Sequence, residues 1–309
     1  MARRRMSIAL LAALWLVAPG LRAFQLHPDF HYSTSETAIN AYDDAGVLVA
    51  SLPWGSNHDV RGLAIGPDGL LYVVRAGTQG PLLTTVEVLG PDGQLMARFG
   101  NGAWSAGNLS LGKIAFAPDR HVFYVGTSGG IYEFNQTTRS GRRLVADPAY
   151  GLDVLPNGEL LVGADSTLYR RTPGGAFIHA FTNIDDPDGL TGVVNPRMVG
   201  IRDVAYSAAT DRTYVTMGGY SGFFFRLLAF QGTSNRLVAQ TYFWYGDDIH
   251  VDDAGNLLVG SRTQAPAWFT PELELIGQLD GPAARFVTGF RALYYESARP
   301  TRQDRQAVE

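Results

Sequence analysis

Three aspartates, Asp153, Asp203 and Asp248, and two histidines, His58 and His250, fall at or near related positions in segments of the chain that resemble one another. Carboxylates and imidazoles gathered in this way could hold a divalent cation, calcium or zinc, or work as an acid–base pair with displaced pKa values. Asp153, Asp203, Asp248 and His250 are the candidate metal ligands. Beside them stand His58, Asp59, Arg61, Arg202 and Asp247, and neighbouring loops add Trp104, Arg197 and Tyr245. These residues form a candidate ligand-binding rim. Arginines there, with Arg75 and Arg262 extending the lip, would grip a carboxylate or phosphate through paired N–H donors. Aromatic rings, Trp54, Trp244 and Tyr220 included, would stack on a sugar or an apolar ligand. A plainer role is open to the same groups: lining a wet channel and pairing with Arg61, Arg202 and Lys113. Both readings stand at this point.

Other motifs carry less. The run 183–189 (NIDDPDG) is rich in oxygen ligands, yet it lacks the full alternating calcium pattern and its distal Glu, and it fits an Asp/Pro/Gly turn. His121 falls at a tight turn and His179 on an outer strand, both structural positions. There is no Ser-His-Asp spacing, phosphate loop or HExxH pair. The chain has no cysteine, which excludes thiolate metal sites and thiol catalysis.

The elements that must position these residues form a repeat. A unit of roughly 38 to 52 residues recurs along the chain. Its inner hairpins are 63–74 (LAIGPDGLLYVV), 114–126, 152–163 (LDVLPNGELLVG), 204–215, 249–260 and a last one at 290–295. Each is two short apolar runs around a Gly/Pro/Asp/Asn turn. More polar outer hairpins follow at 84–99, 131–145, 168–181, 223–239 and 267–279, and the segment 38–52 aligns with this second kind. The spacing predicts an all-β six-bladed propeller of four-stranded antiparallel blades, its last blade closed by that N-terminal outer hairpin. Closure leaves no unpaired first and last sheet. Small residues on the inner strands, among them Gly62, Gly112 and Gly151, suit close approach around an axis. Tight turns occupy one end of the ring and uneven loops the other, so the binding face is expected at the loop-rich channel mouth.

The Pro-Asp-Gly and Pro-Asn-Gly turns flanked by LxxxPDGxLYV-like strands resemble the NHL-repeat, TolB-like and lactonase-like six-bladed propellers over residues 38–295. That resemblance implies the fold and leaves the chemistry open, because such propellers include lactonases, lyases, synthases and binding scaffolds. The lactonases hold a cation with one Glu, two Asn and one Asp, and the resemblance implies Asp203 or Asp248 as the last of these. His58-Asp59 stands where the Glu would precede the first inner strand, and Asn108 and Asn195 lie in loops. The lyases hold zinc with three histidines; His58 and His250 fall at the mouth here.

The first 23 residues read as an export signal: three arginines, an apolar stretch from Met6 to Val17, and Leu21-Arg22-Ala23 at the cleavage point. Pro19-Gly20 breaks the stretch too early for a stable membrane span. A secreted or periplasmic protein is expected, with residues 24–298 as propeller and the polar tail 299–309 disordered. Net charge is −4 and no basic run lies outside the leader and the short tail, so nucleic acid is not the expected partner. Two functions remain: a monomeric binding module for a protein or small molecule, or a metal-dependent lactonase-like hydrolase or lyase.

Overall fold

The turns that punctuate the repeat are built alike. At 66–70, the Gly66 and Gly69 amides bond Leu70 O and Gly66 O, both at 2.9 Å, and Gly69 has φ 75°. Gly158 repeats this at φ 83°. Glycine takes that left-handed conformation at least cost. The acidic or amide residue before it, Asp68 or Asn157, accepts the amide two positions on.

A computed structural model describes residues 23–35, 38–53, 58–77, 85–100, 112–119, 121–218 and 225–289, with backbone alone at 58, 59, 76 and 77. Residues 1–22 of the expected leader, Trp54, Trp104, Asn108, Tyr220, the 290–295 hairpin, the tail and the side chains of His58 and Asp59 lie outside that description. The described residues form 24 strands in six four-stranded antiparallel sheets and no helix. None therefore supplies a helix long and apolar enough to cross a membrane.

Strands β1 (His31–Thr34), β2 (Ala38–Tyr42) and β3 (Leu48–Pro53) come first. The first blade is β4 (His58–Ile65), β5 (Leu71–Gly77), β6 (Thr85–Leu89) and β7 (Leu95–Phe99). The second is β8 (Gly112–Phe116), β9 (Val122–Thr127), β10 (Gly130–Asn135) and β11 (Gly141–Val145). The third is β12 (Gly151–Val154), β13 (Leu160–Ala164), β14 (Thr167–Arg171) and β15 (Phe177–Phe181). The fourth is β16 (Ile201–Ser207), β17 (Arg212–Met217), β18 (Arg226–Gln231) and β19 (Leu237–Tyr242). The fifth is β20 (Gly246–Val251), β21 (Leu257–Ser261), β22 (Ala267–Phe269) and β23 (Leu275–Gln278).

The sixth blade runs β24 (Val287–Gly289), β1, β2, β3, so the six-bladed propeller closes on an N-terminal outer hairpin as expected. Its inner pair departs from expectation. Strand β24 pairs with β1, Tyr32 opposite Thr288, rather than with a C-terminal partner. The HYST segment is four residues long and carries no turn of the repeated kind, so the repeat pattern passes over it; burial of Tyr32 against the first blade holds it there.

Inner strands touch in a closed cycle, β4–β8–β12–β16–β20–β24–β4. A methyl group on Gly62 would lie 1.5 Å from Gly112 O, so these strands meet backbone to backbone. Six apolar clusters fill the six gaps between blades. Tyr72, Phe99, Phe123 and Phe134 pack between the first and second; Tyr42, Leu258, Leu279 and Val287 make the smaller cluster between fifth and sixth. Burial on both faces explains the near-continuous apolar runs.

His31 sits at this last seam, edge-on to Trp268 at 4.7 Å. Burial lowers its pKa below 6.5, against the opposing charges of Asp44, Asp252 and Asp43. A lowered base pKa means the unfolded chain binds the proton first. The stability His31 contributes is present above pH 6.5 and is lost as pH falls towards its folded value. Urea midpoints should fall from pH 7 to pH 5, and His31→Gln should flatten that slope; an unchanged slope would refute this origin.

Candidate functional site

Polar side chains enter the axial channel in layers. Deepest are Asp153 on β12, His250 on β20 and Thr288 on β24, which border a narrow cavity of about 60 Å³, room for a few water molecules. Thr288 takes this position in the sixth blade. Its hydroxyl accepts the Ile65 amide at 3.2 Å just as Asp153 Oδ2 accepts the Tyr206 amide at 2.7 Å.

In the next layer Asp203 and Asp248 converge as expected, but on Lys113. The ammonium lies 2.6 Å from Asp203 Oδ2, also bonds Asp248 Oδ1, and donates to Ile249 O at 3.3 Å. Each carboxylate also staples its blade to the next: Asp203 accepts the Ile249 amide at 2.6 Å and Asp248 the Val287 amide at 2.7 Å. Both are buried, and burial is the largest cause raising both carboxyl pKa values, against the lowering pull of Lys113. Burial would lower the Lys113 pKa, but Asp203 and Asp248 outweigh it and hold it above its ordinary value.

The family resemblance implies a cation here, and the donor set does not fit one. Asp203 and Asp248 spend their oxygens on backbone amides and an ammonium, and Asp153 faces the Val154 and Tyr206 amides. Among the described residues no group of three or more His, Asp or Glu is placed to hold a metal ion.

The outermost layer is the mouth. Arg61, Arg202 and Asp247 each occupy a β-bulge, the extra residue between Val60 and Gly62, Ile201 and Asp203, Gly246 and Asp248. A bulge re-aims a side chain and bends the strand. Here it brings three rim residues to the channel beside their sequence neighbours. Asp247 is fully buried and accepts Arg262 Nε and Nη2 at 2.8 and 2.7 Å, Arg285 Nε at 3.0 Å and Arg202 Nη1 at 3.3 Å. Burial lowers the Arg285 pKa; Asp247 opposes that, while Arg262, Arg61 and Arg202 add like-charge repulsion. Three guanidinium groups thus share one carboxylate, with Arg61 close enough to repel Arg285. Arg202 Nε is buried with no hydrogen-bond partner among the described residues. Tyr245 lies under Arg262 at 5.9 Å and against Phe225 at 4.0 Å, with Trp244 largely exposed alongside.

Two expected lip residues go elsewhere. Arg197 lines a separate apolar cavity of about 270 Å³ with Ile184, Met217 and Leu228, beneath the 182–200 excursion. Arg75 pairs with buried Glu87 at 2.5 Å within the first blade. The 183–189 run is a turn, in which Asp186 accepts the Leu190 and Thr191 amides. Arg285, absent from the candidates, comes from an irregular segment that has no repeat signature; the adjoining Ala284–Ser261 bridge positions it.

No protein-family model matches the chain, and no curated protein matches it. Among solved structures it is similar to a protein of unknown function from Bacteroides caccae, 11% identical, TM-score 0.59, covering 86% of this chain and 100% of that one. It is also similar to hydrazine synthase from Kuenenia stuttgartiensis, 16% identical, TM-score 0.50, covering 78% of this chain and 74% of that one. At these identities the likeness is one of fold.

Proposed function

We propose that this propeller is a binding module whose channel mouth takes a ligand bearing carboxylate or phosphate groups. One observation carries the reading: Arg202, Arg262 and Arg285 all bond a single buried carboxylate, Asp247. Among the described residues three guanidinium groups face one carboxylate, and an incoming anion would add negative charge through charge-assisted, bidentate contacts. Tyr245 and Trp244 offer an apolar shelf for the rest of such a ligand. The leader pattern supports an exported protein. The hydrolase or lyase alternative asks for a cation between Asp203 and Asp248, where the Lys113 ammonium already stands.

Calorimetric titration of chelator-treated protein with citrate and with phosphate tests this. Both should bind, more weakly as salt rises. Arg262→Ala removes a rim guanidinium that is more than a third exposed. It should weaken citrate by about tenfold or more, the worth of one charged hydrogen bond. Equal affinity in variant and wild type, or no anion binding at all, rejects the site.

A further inference from the structure

The excursion over the fourth blade is pinned like an arch. The Asp185 amide donates to Asn235 O at 2.9 Å, and the Leu237 amide to Asp185 O at 2.8 Å. The Ile184 amide donates to Pro196 O at 2.9 Å, which ties the two legs together, and the Gln240 side chain donates to Leu190 O. A roof held at its base and again along its length is kept from settling onto the blade. The cavity left beneath it measures about 270 Å³. That is just under the roughly 300–1,000 Å³ of sites that enclose drug-sized ligands. Met217 on β17 and Leu228 on β18 face it from the blade, and Ile184 and Pro196 from the excursion. Val193 and Val199 also line it while 51% and 39% exposed, so it opens to solvent beside them.

The charge around this apolar space has one sign. Arg197 and Arg226 border it, and no carboxylate among the described residues does. Arg226 donates to two neutral groups, Gln240 Oε1 and, at 3.1 Å, Tyr242 Oη. Asp186, the carboxylate that acts on Arg226, is occupied by the Leu190 and Thr191 amides and the Thr191 hydroxyl. Arg197 is exposed and forms no salt bridge among the described residues. We propose that this cavity binds a small aliphatic monocarboxylate, its hydrocarbon chain against Met217, Leu228 and Ile184 and its carboxylate on Arg197. Apolar lining with a few polar groups at the edge is the usual build of a small-molecule site. Hydrocarbon burial supplies the affinity, about fourfold for each methylene removed from water. The guanidinium sets orientation and favours an acid over an alcohol or an amine. Such a ligand differs in kind from the small, highly charged anions suited to the mouth, and the two sites share no residue.

Calorimetric titration of the full chain with butanoate, hexanoate, octanoate and octanol tests the site. Affinity should rise about fourfold per methylene along the acids, and octanol should bind more weakly than octanoate. Arg197→Ala should weaken octanoate about fivefold, a charged contact discounted for its exposure, and leave octanol unchanged. Arg262→Ala, which alters the mouth, should leave octanoate unchanged. Nuclear Overhauser contacts between the octanoate chain and the Met217 methyl group locate the ligand in the wild type without any substitution. The proposal is overturned by octanoate that does not bind, by an affinity indifferent to chain length, or by contacts that miss Met217. Octanoate binding lost in Arg262→Ala and kept in Arg197→Ala would likewise move the ligand to the mouth and reject this cavity.

Discussion

Lys113→Met should destabilise the ring by about 3–5 kcal/mol at neutral pH, the usual cost of stranding buried charge by removing its partner. Asp203 and Asp248 are 0% and 1% exposed, and this ammonium is the cation they share. Without it, two carboxylates face each other with only amide dipoles for compensation. Their raised pKa values would then climb further, because the lowering pull of Lys113 is gone. A raised carboxyl pKa means the folded state holds the proton longer than the unfolded chain does. The variant should therefore be nearest to wild type in acid and lose ground as pH rises above the ordinary carboxylate range, about 3.9. The wild type has a weakness of its own at high pH. Lys113 is held above its ordinary 10.5, so its contribution is intact below that value and disappears as pH climbs through the folded one. Urea midpoints of both proteins from pH 4 to pH 11 measure this. A variant as stable as wild type at pH 7 would show the triad contributes nothing to the ring.

Asp247→Ala should cost a comparable amount, about 3–5 kcal/mol, and its signature is rescue by anions. Asp247 is the counter-charge that Arg202, Arg262 and Arg285 all touch. Its removal leaves guanidinium groups repelling one another in a half-buried mouth, with Arg285 the least exposed of the three. Citrate or phosphate entering the mouth would replace the missing carboxylate, so either should raise the melting temperature of the variant more than that of the wild type. Salt alone screens the repulsion and should recover part of the loss. A variant that melts with the wild type at low salt, or gains no more from citrate, would contradict the charge imbalance on which the anion site rests.

The rim and the channel differ in how far they could be read. Counting repeat positions brought Asp203, Asp248 and Lys113 to one level of one axis, and pairing with Lys113 was one of the two roles left open for them. Nothing in the count could say that the ammonium would lie within 2.6 Å of Asp203, or that each carboxylate would also clasp the next blade. Arg61, Arg202 and Asp247 were recognisable as neighbours of the inner strands, but their common aim comes from bulges, which pairing partners create and composition does not announce. Arg197, expected on the same rim as Arg202, belongs to a different cavity, because the excursion that carries it folds back over the fourth blade, Asp185 pairing with Arg236.

What the order of residues determined was the wheel: how many blades there are, which strands are inner in the first five, and that the N-terminal hairpin completes the last one. Those are local properties, set by glycine at left-handed positions and by apolar runs buried on both faces. What only the folded chain decided is which charge meets which. Lys113 and Asp248 are 135 positions apart, and the β1–β24 pairing that carries His31 to Gly289 joins residues 31 and 289. Electrostatic partners depend on distances of an ångström or two, which arise only when separate blades close against one another.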